Sequence, residues 1–206
     1  MDISAFAKLS PCTFSDVLTR DRVMDIGIRP LWPDMPRIAG PAYPVKCEPA
    51  DNLMLHAAIH RAPAGSIIVV QAADNDYAQS GGNVAATAQH RGVAGFVVDG
   101  VIRDVAEVRA NRFPVFARGV IPIPGTKEKK GVLNGPVTCG GVRVEPGDIV
   151  IADEEGIVVL PKAKAEEILK KAQAKAAKDA QVSLDAWMKD HRERIDKALR
   201  ERGITD

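Results

Sequence analysis

The 206-residue chain is 46% hydrophobic and 27% charged, which suits one compact domain of ordinary size. Its net charge of +1 and its aromatic content of 4% argue against a nucleic-acid-binding surface. No apolar run approaches the roughly 20 residues that a membrane-spanning helix needs, and the N-terminus lacks the basic and apolar regions of a secretory signal. The three widely spaced cysteines, Cys12, Cys47 and Cys139, indicate reduced thiols in a cytoplasmic protein.

The first half of the chain predicts a parallel α/β core. A short helix is expected in TFSDVLTR, followed by a proline-rich loop, a strand in AYPVKC and a helix that begins after Asp51. Residues 66–118 then show strand, helix, strand, helix and strand patterns, joined by short connections. Because continuous apolar strands are typical of parallel sheets covered on both faces, this stretch predicts a βαβαβ unit.

The second half predicts mixed strands and a helical extension. Short strand-like runs alternate with Gly and Pro turns in GPVTCGGVRVEPGDIVIADEEGIVVLP, which indicates antiparallel or mixed pairing. From Lys162 onward the pattern is helical, and Ser183 is expected to cap a second, amphipathic helix. We therefore predict one α/β domain over residues 1–182 and a C-terminal helix over residues 183–206. That helix is expected to pack on the domain or on a neighbouring subunit.

An arginine and an aspartate stand side by side just after the second strand of the βαβαβ unit, whose apolar run stops at Asp99-Gly100. In one interpretation Asp104, with Glu107 three residues later, is a helix cap, and Arg103 is a surface residue. In the other, both lie at the carboxyl end of a parallel strand, where open α/β sheets bind ligands. There an arginine can bind a carboxylate through two hydrogen bonds, and an aspartate can bind Mg²⁺.

A glycine-rich turn, SGGNVAA at residues 80–86, follows the first strand of the same unit. Gly81 and Gly82 allow a sharp turn and leave backbone N–H groups uncovered at a helix N-terminus, which favours an anion site. A plain turn is the alternative. The sequence contains neither the G-x-G-x-x-G fingerprint nor a Walker A lysine, so a nucleotide site is not expected.

Three other polar groups have ordinary structural explanations. His56 and His60 are spaced four apart on a helix, as in some zinc sites, although packing and surface roles explain them better. Asp74 and Asp76 follow a strand and are typical turn residues. The basic loop GTKEKKG, residues 125–131, is expected to be solvated, with steering of an anion as the alternative.

Several segments of the chain match one family. They are TFSDVL, IRPLWP, IAGPA, DNLMLHAAI, SGGNVAATAQHRGVAGFVVDGVIRD, FPVFARG and VEPGDIVIADEEGIVVLP. Together they resemble the regulator of ribonuclease activity A-like proteins, which include the 4-hydroxy-4-methyl-2-oxoglutarate / 4-carboxy-4-hydroxy-2-oxoadipate aldolases. RGVAGFVVDGVIRD is the most specific segment, and the helix after Ser183 lies outside the match.

This resemblance implies a swivelling β/β/α fold, assembled as a homotrimer or hexamer with sites between subunits. It also implies a pyruvyl carboxylate bound by Arg103 and a divalent ion, Mg²⁺ or Mn²⁺, held by Asp104. Backbone N–H groups of the glycine-rich loop are expected to bind the substrate; the loop residues concerned are Gly82, Asn83, Val84 and Ala85.

Two positions depart from the family pattern or extend it. The family's aldolases often have an acidic residue straight after the loop glycine, and here that position is Asn83, an amide that can bind a water but brings no charge. A further acid is expected from the C-terminal helix of a neighbouring subunit, and Asp179 is the candidate.

The resemblance implies a divalent-metal-dependent lyase that cleaves a 2-oxo acid through a pyruvate enolate. The expected activity is that of a 4-hydroxy-4-methyl-2-oxoglutarate-type aldolase, with oxaloacetate decarboxylase activity through the same enolate. The expected partner is a small 2-oxo acid, with neither nucleic acid nor membrane. One alternative is a non-catalytic regulator that binds a ribonuclease. Another is an aldolase or decarboxylase for a different 2-oxo acid, which Asn83 and the basic loop favour.

Overall fold

The computed structural model describes residues 1–204 and is built around an eight-stranded mixed sheet with helices on its faces. The strands are β1 (Arg29–Pro30), β2 (Ile38–Lys46), β3 (Ile67–Gln71), β4 (Gly95–Ile102), β5 (Val115–Val120), β6 (Val132–Leu133), β7 (Val137–Cys139), β8 (Val142–Val144), β9 (Ile149–Asp153) and β10 (Gly156–Leu160). The helices are α1 (Ile3–Ala7), α2 (Pro11–Ser15), α3 (Leu53–Ala58), α4 (Gly82–His90), α5 (Val105–Ala110), α6 (Ala165–Asp179) and α7 (Leu184–Glu201).

The predicted βαβαβ unit over residues 66–118 is confirmed. It consists of β3, α4, β4, α5 and β5, with β3 parallel to β4 and β4 parallel to β5. β2 extends this core on the other side of β3, again in parallel. Val69 and Val97 are fully buried neighbours in the register, as expected of a parallel sheet covered on both faces.

The mixed pairing predicted for the second half is also confirmed. β9 pairs antiparallel with β2, and β10 with β9, so the sheet order is β1-β5-β4-β3-β2-β9-β10, with β6 on β2. β7 and β8 form a separate two-stranded hairpin. The α/β class with a parallel core, mixed strands and C-terminal helices therefore holds.

Three hydrophobic clusters hold these layers together. α3, α4 and α5 cover one face of the parallel core, through residues such as Leu55, Ala88 and Val108. The segment before β2 and the β7–β8 hairpin cover the other face. α1, α2 and α6 pack around β9 and β10, with Phe6 and Phe14 fully buried. The carboxyl ends of the parallel strands stay open between these layers.

β4 continues two residues past the point where its apolar run stops. The strand runs on to Ile102 through a one-residue bulge between Val98 and Val101. Asp99 is tolerated there since its carboxylate accepts hydrogen bonds from Arg118 Nε (2.5 Å) and the Gly140 backbone N–H (2.7 Å). The bulge sits just before the arginine–aspartate pair.

The C-terminal extension is helical, as predicted. Ser183 caps α7, its hydroxyl accepting a hydrogen bond from the Ala186 N–H (3.2 Å). α7 has no buried residue, and apolar side chains such as Trp187 and Met188 are about half exposed, at 47% and 52%. The last two residues of the predicted segment 183–206 lie outside the described range. Packing of this helix on a neighbouring subunit stays a prediction. No helix in residues 1–204 is long and apolar enough to cross a membrane.

Candidate active site

A polar cleft opens at the carboxyl ends of β3 and β4, where parallel α/β sheets place their ligands. It is small and open to solvent, with about 370 Å³ of space not filled by atoms, part of which is bulk solvent. The polar side chains that line it are Asn52, His56, Ser80, Asn83, Arg103, Asp104 and Lys127. The sequence marked Arg103 and Asp104 as a pair, and the structure puts both in this cleft.

The carboxylate of Asp104 turns back toward the glycine-rich loop. Asp104 occupies the position before α5 but makes no capping hydrogen bond, so the capping interpretation is wrong about its side chain. Instead, Asp104 Oδ2 accepts the Gly82 N–H (3.0 Å) and lies 3.4 Å from Arg103 Nε. The backbone of Asp104 is left-handed, with φ of 57°, a conformation that Asp and Asn tolerate better than most residues.

The glycine-rich loop provides a close approach that a side chain would block. α4 begins at Gly82, and a Cβ added to Gly81 would lie 2.4 Å from Asp104 Oδ2 and 3.2 Å from Arg103 Nε. Asn83 and Val84, in the first turn of α4, line the cleft. Because first-turn N–H groups lack acceptors within their own helix, this end of α4 favours an anion.

Two of the expected substrate contacts have other partners in the structure. The Gly82 N–H donates to Asp104, as described above. Ala85 is fully buried, and its N–H donates to the Gly81 carbonyl (3.0 Å). The structure thus brings Asn83, Val84 and the arginine–aspartate pair together at the cleft surface, while Ala85 faces the core.

Sequence reasoning missed Asn52 and Ser80. Both are buried, at 3% exposure each, and both line the cleft. Asn52 Nδ2 donates to the Ala78 carbonyl (3.1 Å), but Asn52 Oδ1 and Ser80 Oγ have no hydrogen-bond partner among residues 1–204. Since an unsatisfied buried polar atom costs free energy, these two atoms are suited to a polar ligand. Ser80 opens the glycine-rich turn, but neither its hydroxyl nor the Asn52 amide was assigned a role from the sequence.

His56 also faces the cleft, whereas His60 is exposed. Burial, together with the positive charge of Lys127, lowers the pKa of His56 from 6.5 to about 4, while Asp51 opposes the shift. The imidazole is therefore neutral at pH 7 and can both donate and accept a hydrogen bond. Within the described part of the chain no group of three or more His, Cys, Asp or Glu side chains could hold a metal, and the two histidines lie in different environments.

We expect His56 to make the folded state acid-sensitive. Its pKa is lower in the folded than in the unfolded chain, so the unfolded state gains the proton first. Its contribution to stability is present above pH 6.5 and is lost as the pH falls from 6.5 toward 4. Between pH 6.5 and pH 4 the free energy of unfolding should fall by roughly 2 kcal/mol less in His56→Gln than in wild type, allowing for the partial exposure of His56. Denaturant unfolding at several pH values measures it, with the exposed His60→Gln as control. The same dependence of the free energy of unfolding on pH in wild type and His56→Gln would contradict the expectation.

A divalent cation in this cleft would depend on a single carboxylate. Asp104 offers one partly exposed carboxylate, with 35% of its side chain accessible. Mg²⁺ commonly binds one or two carboxylates and completes its shell with waters and substrate oxygens, so a single aspartate beside the glycine-rich loop is compatible with this ion. Asp179 does not line the cleft of its own chain; it is exposed on α6 and pairs with Lys175. Its role across a subunit boundary stays a prediction.

Both the sequence and the fold of this chain are similar to those of known proteins. The family model described as RraA-like (Aldolase/RraA) matches residues 11–159. A Halalkalibacterium halodurans protein, provisionally named a 4-hydroxy-4-methyl-2-oxoglutarate aldolase, is 37% identical over 178 residues, covering 86% of this chain and 84% of the relative. Streptomyces coelicolor RraAS2, described as an unusual member of the RNase ES inhibitor RraA protein family, superposes with a TM-score of 0.75 at 29% identity, covering 86% and 93%. The RNA-processing inhibitor RraA from Thermus thermophilis superposes with a TM-score of 0.67 at 29% identity, covering 73% and 92%.

Proposed function

The chain belongs to the RraA-like family, and from this premise we propose that it is a divalent-metal-dependent lyase that cleaves a 2-oxo acid through the enolate of pyruvate. The substrate proposed first is 4-hydroxy-4-methyl-2-oxoglutarate, with oxaloacetate as a second substrate decarboxylated through the same enolate. The observation that carries the proposal is the Arg103–Asp104 pair in a polar cleft, where the Asp104 carboxylate accepts the Gly82 N–H.

Arg103 and the N-terminus of α4 would together bind the carboxylate next to the oxo group. The guanidinium of Arg103 has the shape and charge to hold the carboxylate next to the oxo group. The start of α4 contributes N–H groups and the positive end of its dipole to the same anion. Fixing that carboxylate orients the bond to be broken, which is the contribution of positioning to the rate.

The bond changes are the same for both substrates up to the enolate. In the aldol substrate the bond between carbons 3 and 4 breaks, its electron pair enters the enolate, and the 4-hydroxyl loses its proton as that carbon becomes a carbonyl. In oxaloacetate the pair is released as CO₂ departs. Asp104 would hold Mg²⁺ or Mn²⁺, which supplies Lewis-acid stabilisation for the negative charge that develops on the enolate oxygen. A proton then adds to the enolate carbon and gives pyruvate.

Pyruvate release tests this proposal directly. With Mg²⁺ present, we expect pyruvate from both 4-hydroxy-4-methyl-2-oxoglutarate and oxaloacetate, because both pass through the same enolate. Chelation by EDTA should reduce both rates to near the uncatalysed level, and added Mg²⁺ should restore them. The ratio of the two rates says whether the chain is mainly an aldolase or a decarboxylase. Release that is insensitive to EDTA would contradict the metal-dependent mechanism.

A second candidate is a non-catalytic regulator of a ribonuclease, favoured by the likeness to the RNA-processing inhibitor RraA. Absence of pyruvate from both substrates, with the protein folded and Mg²⁺ present, would favour this reading or a different 2-oxo acid. We further propose a homotrimer or hexamer that works in the cytoplasm, where its three free thiols, Cys12, Cys47 and Cys139, stay reduced.

A further inference from the structure

The basic loop at residues 125–131 is fixed in place by a buried carboxylate. Asp51 is 1% exposed, and its Oδ2 accepts hydrogen bonds from Thr126 Oγ1 (2.8 Å), the Glu128 N–H (2.6 Å) and the Lys129 N–H (3.1 Å). Two backbone bonds, from Asn52 N–H to the Thr126 carbonyl and from Thr126 N–H to the Ala50 carbonyl, add to this attachment. We call this arrangement the Asp51 clasp. It holds the backbone on both sides of Lys127.

Lys127 differs from its lysine neighbours in where it lies. It lines the cleft with Arg103, and its charge acts on His56. Within residues 1–204 it forms no ion pair. Lys129, by contrast, donates its Nζ to the Pro49 carbonyl, and Lys130 is exposed outside the cleft. Lys127 is therefore the lysine of this loop that lines the cleft.

The charges of the cleft favour a ligand with two negative groups. Arg103 and Lys127 are cationic, and His56 is neutral at pH 7. Asp104 is the one carboxylate among the residues that line the cleft, and it already accepts the Gly82 N–H. Asn52 and Ser80, each with a buried unpartnered oxygen, line the same cleft, which suits a polar ligand.

We propose that Lys127 is a specificity-determining residue, which binds the second carboxylate of a dicarboxylic 2-oxo acid while Arg103 binds the carboxylate beside the oxo group. This inference rests on the proposed function, because it assigns the two ends of that substrate. It gives a role to the Asp51 clasp, which fixes the loop backbone on both sides of Lys127 and so limits how far its side chain must be ordered to reach a carboxylate in the cleft. A substrate with one carboxylate leaves Lys127 without its partner.

Binding of two unreactive probes tests the proposal. 2-Oxoglutarate carries two carboxylates, and 2-oxopentanoate has the same number of carbons with one; neither has the 4-hydroxyl needed for aldol cleavage. By isothermal titration calorimetry of the full chain with Mg²⁺, we expect wild type to bind 2-oxoglutarate about tenfold more tightly, as one charge-assisted hydrogen bond allows. Lys127→Gln should lose this preference by weakening 2-oxoglutarate alone. Lys127→Arg should keep most of it, and the loop control Lys130→Gln all of it.

Several results would overturn the assignment. They are equal binding of the two probes by wild type, no binding of either, a preference that survives in Lys127→Gln, or equal weakening of both probes in that variant. Because neither probe is cleaved, the readout does not depend on turnover. Failure of pyruvate release would count against the proposed function while leaving this measurement intact, so the two failures can be told apart.

Discussion

Asp104→Asn should lower kcat/KM for pyruvate release by about 10²–10³-fold, the range seen when one preorganised electrostatic group is removed from an active site. The amide loses the negative charge that would hold the divalent ion and that faces Arg103. It keeps an oxygen that can accept the Gly82 N–H, and Asn tolerates the left-handed backbone at this position. Stability should therefore change little. Steady-state kinetics with Mg²⁺, alongside denaturant unfolding, measures both.

Asp76→Asn is the matched control for this variant. Asp76 follows β3 on the same side of the sheet, is exposed, and does not line the cleft. It removes the same charge from the chain, so a general electrostatic effect would appear in both variants. Full metal-dependent activity in a folded Asp104→Asn protein would show that the charge of Asp104 is not needed. A loss in Asp76→Asn as large as that in Asp104→Asn would show that the effect is not local.

Gly81→Ala should reduce pyruvate release about 10- to 100-fold without substantial loss of stability, because 1 Å displacements of positioned groups can cost as much. The new methyl group would lie 2.4 Å from Asp104 Oδ2 and 3.2 Å from Arg103 Nε, so both side chains must move. The backbone itself accepts alanine, since φ of −151° at Gly81 is extended. Kinetics and unfolding of the variant measure the two effects separately.

Two comparisons make this prediction specific. Gly119→Ala adds a methyl whose nearest neighbour is Val101 Cγ1 at 3.9 Å, an ordinary contact, so activity there should match wild type. The double variant Gly81→Ala/Asp104→Asn should be little worse than Asp104→Asn alone, because both changes act on one pair. Additive losses in the double variant would mean that Gly81 acts through something other than the arginine–aspartate pair.

Local sequence patterns were sufficient to predict the βαβαβ unit. The strands of the βαβαβ unit are continuous apolar runs, and burial on both faces requires such runs. Arg103 and Asp104 were candidates for a ligand-binding edge because both follow one of these strands, with a helix cap as the alternative. The bulge in β4 escaped prediction, since the partners that stabilise Asp99 come from Arg118 and Gly140, far along the chain.

Much of the cleft could not be predicted, because its other residues arrive through long-range pairing. Asn52 precedes a short helix and Ser80 follows a loop, and neither position has a pattern that reports burial without a partner. In sequence, Lys127 does not differ from the other lysines of its loop. Only the fold brings this loop beside the residues that precede α3. The direction of the Asp104 carboxylate was equally hidden: sequence spacing cannot distinguish a side chain that caps its own helix from one that reaches back to the preceding loop.

The Asp51 clasp also bears on the order in which the chain acquires its parts. The hydrogen bonds to Asp51 Oδ2 join residues separated by 75 to 78 positions, whereas neighbouring strands of the parallel core are linked by single short helices. Contacts between residues far apart in sequence require a large loss of chain entropy before they stabilise the fold, so they tend to form later. We expect a refolding chain to form its parallel core while the loop that carries Lys127 is still undocked. On this ordering the molecule becomes compact first and selective afterwards.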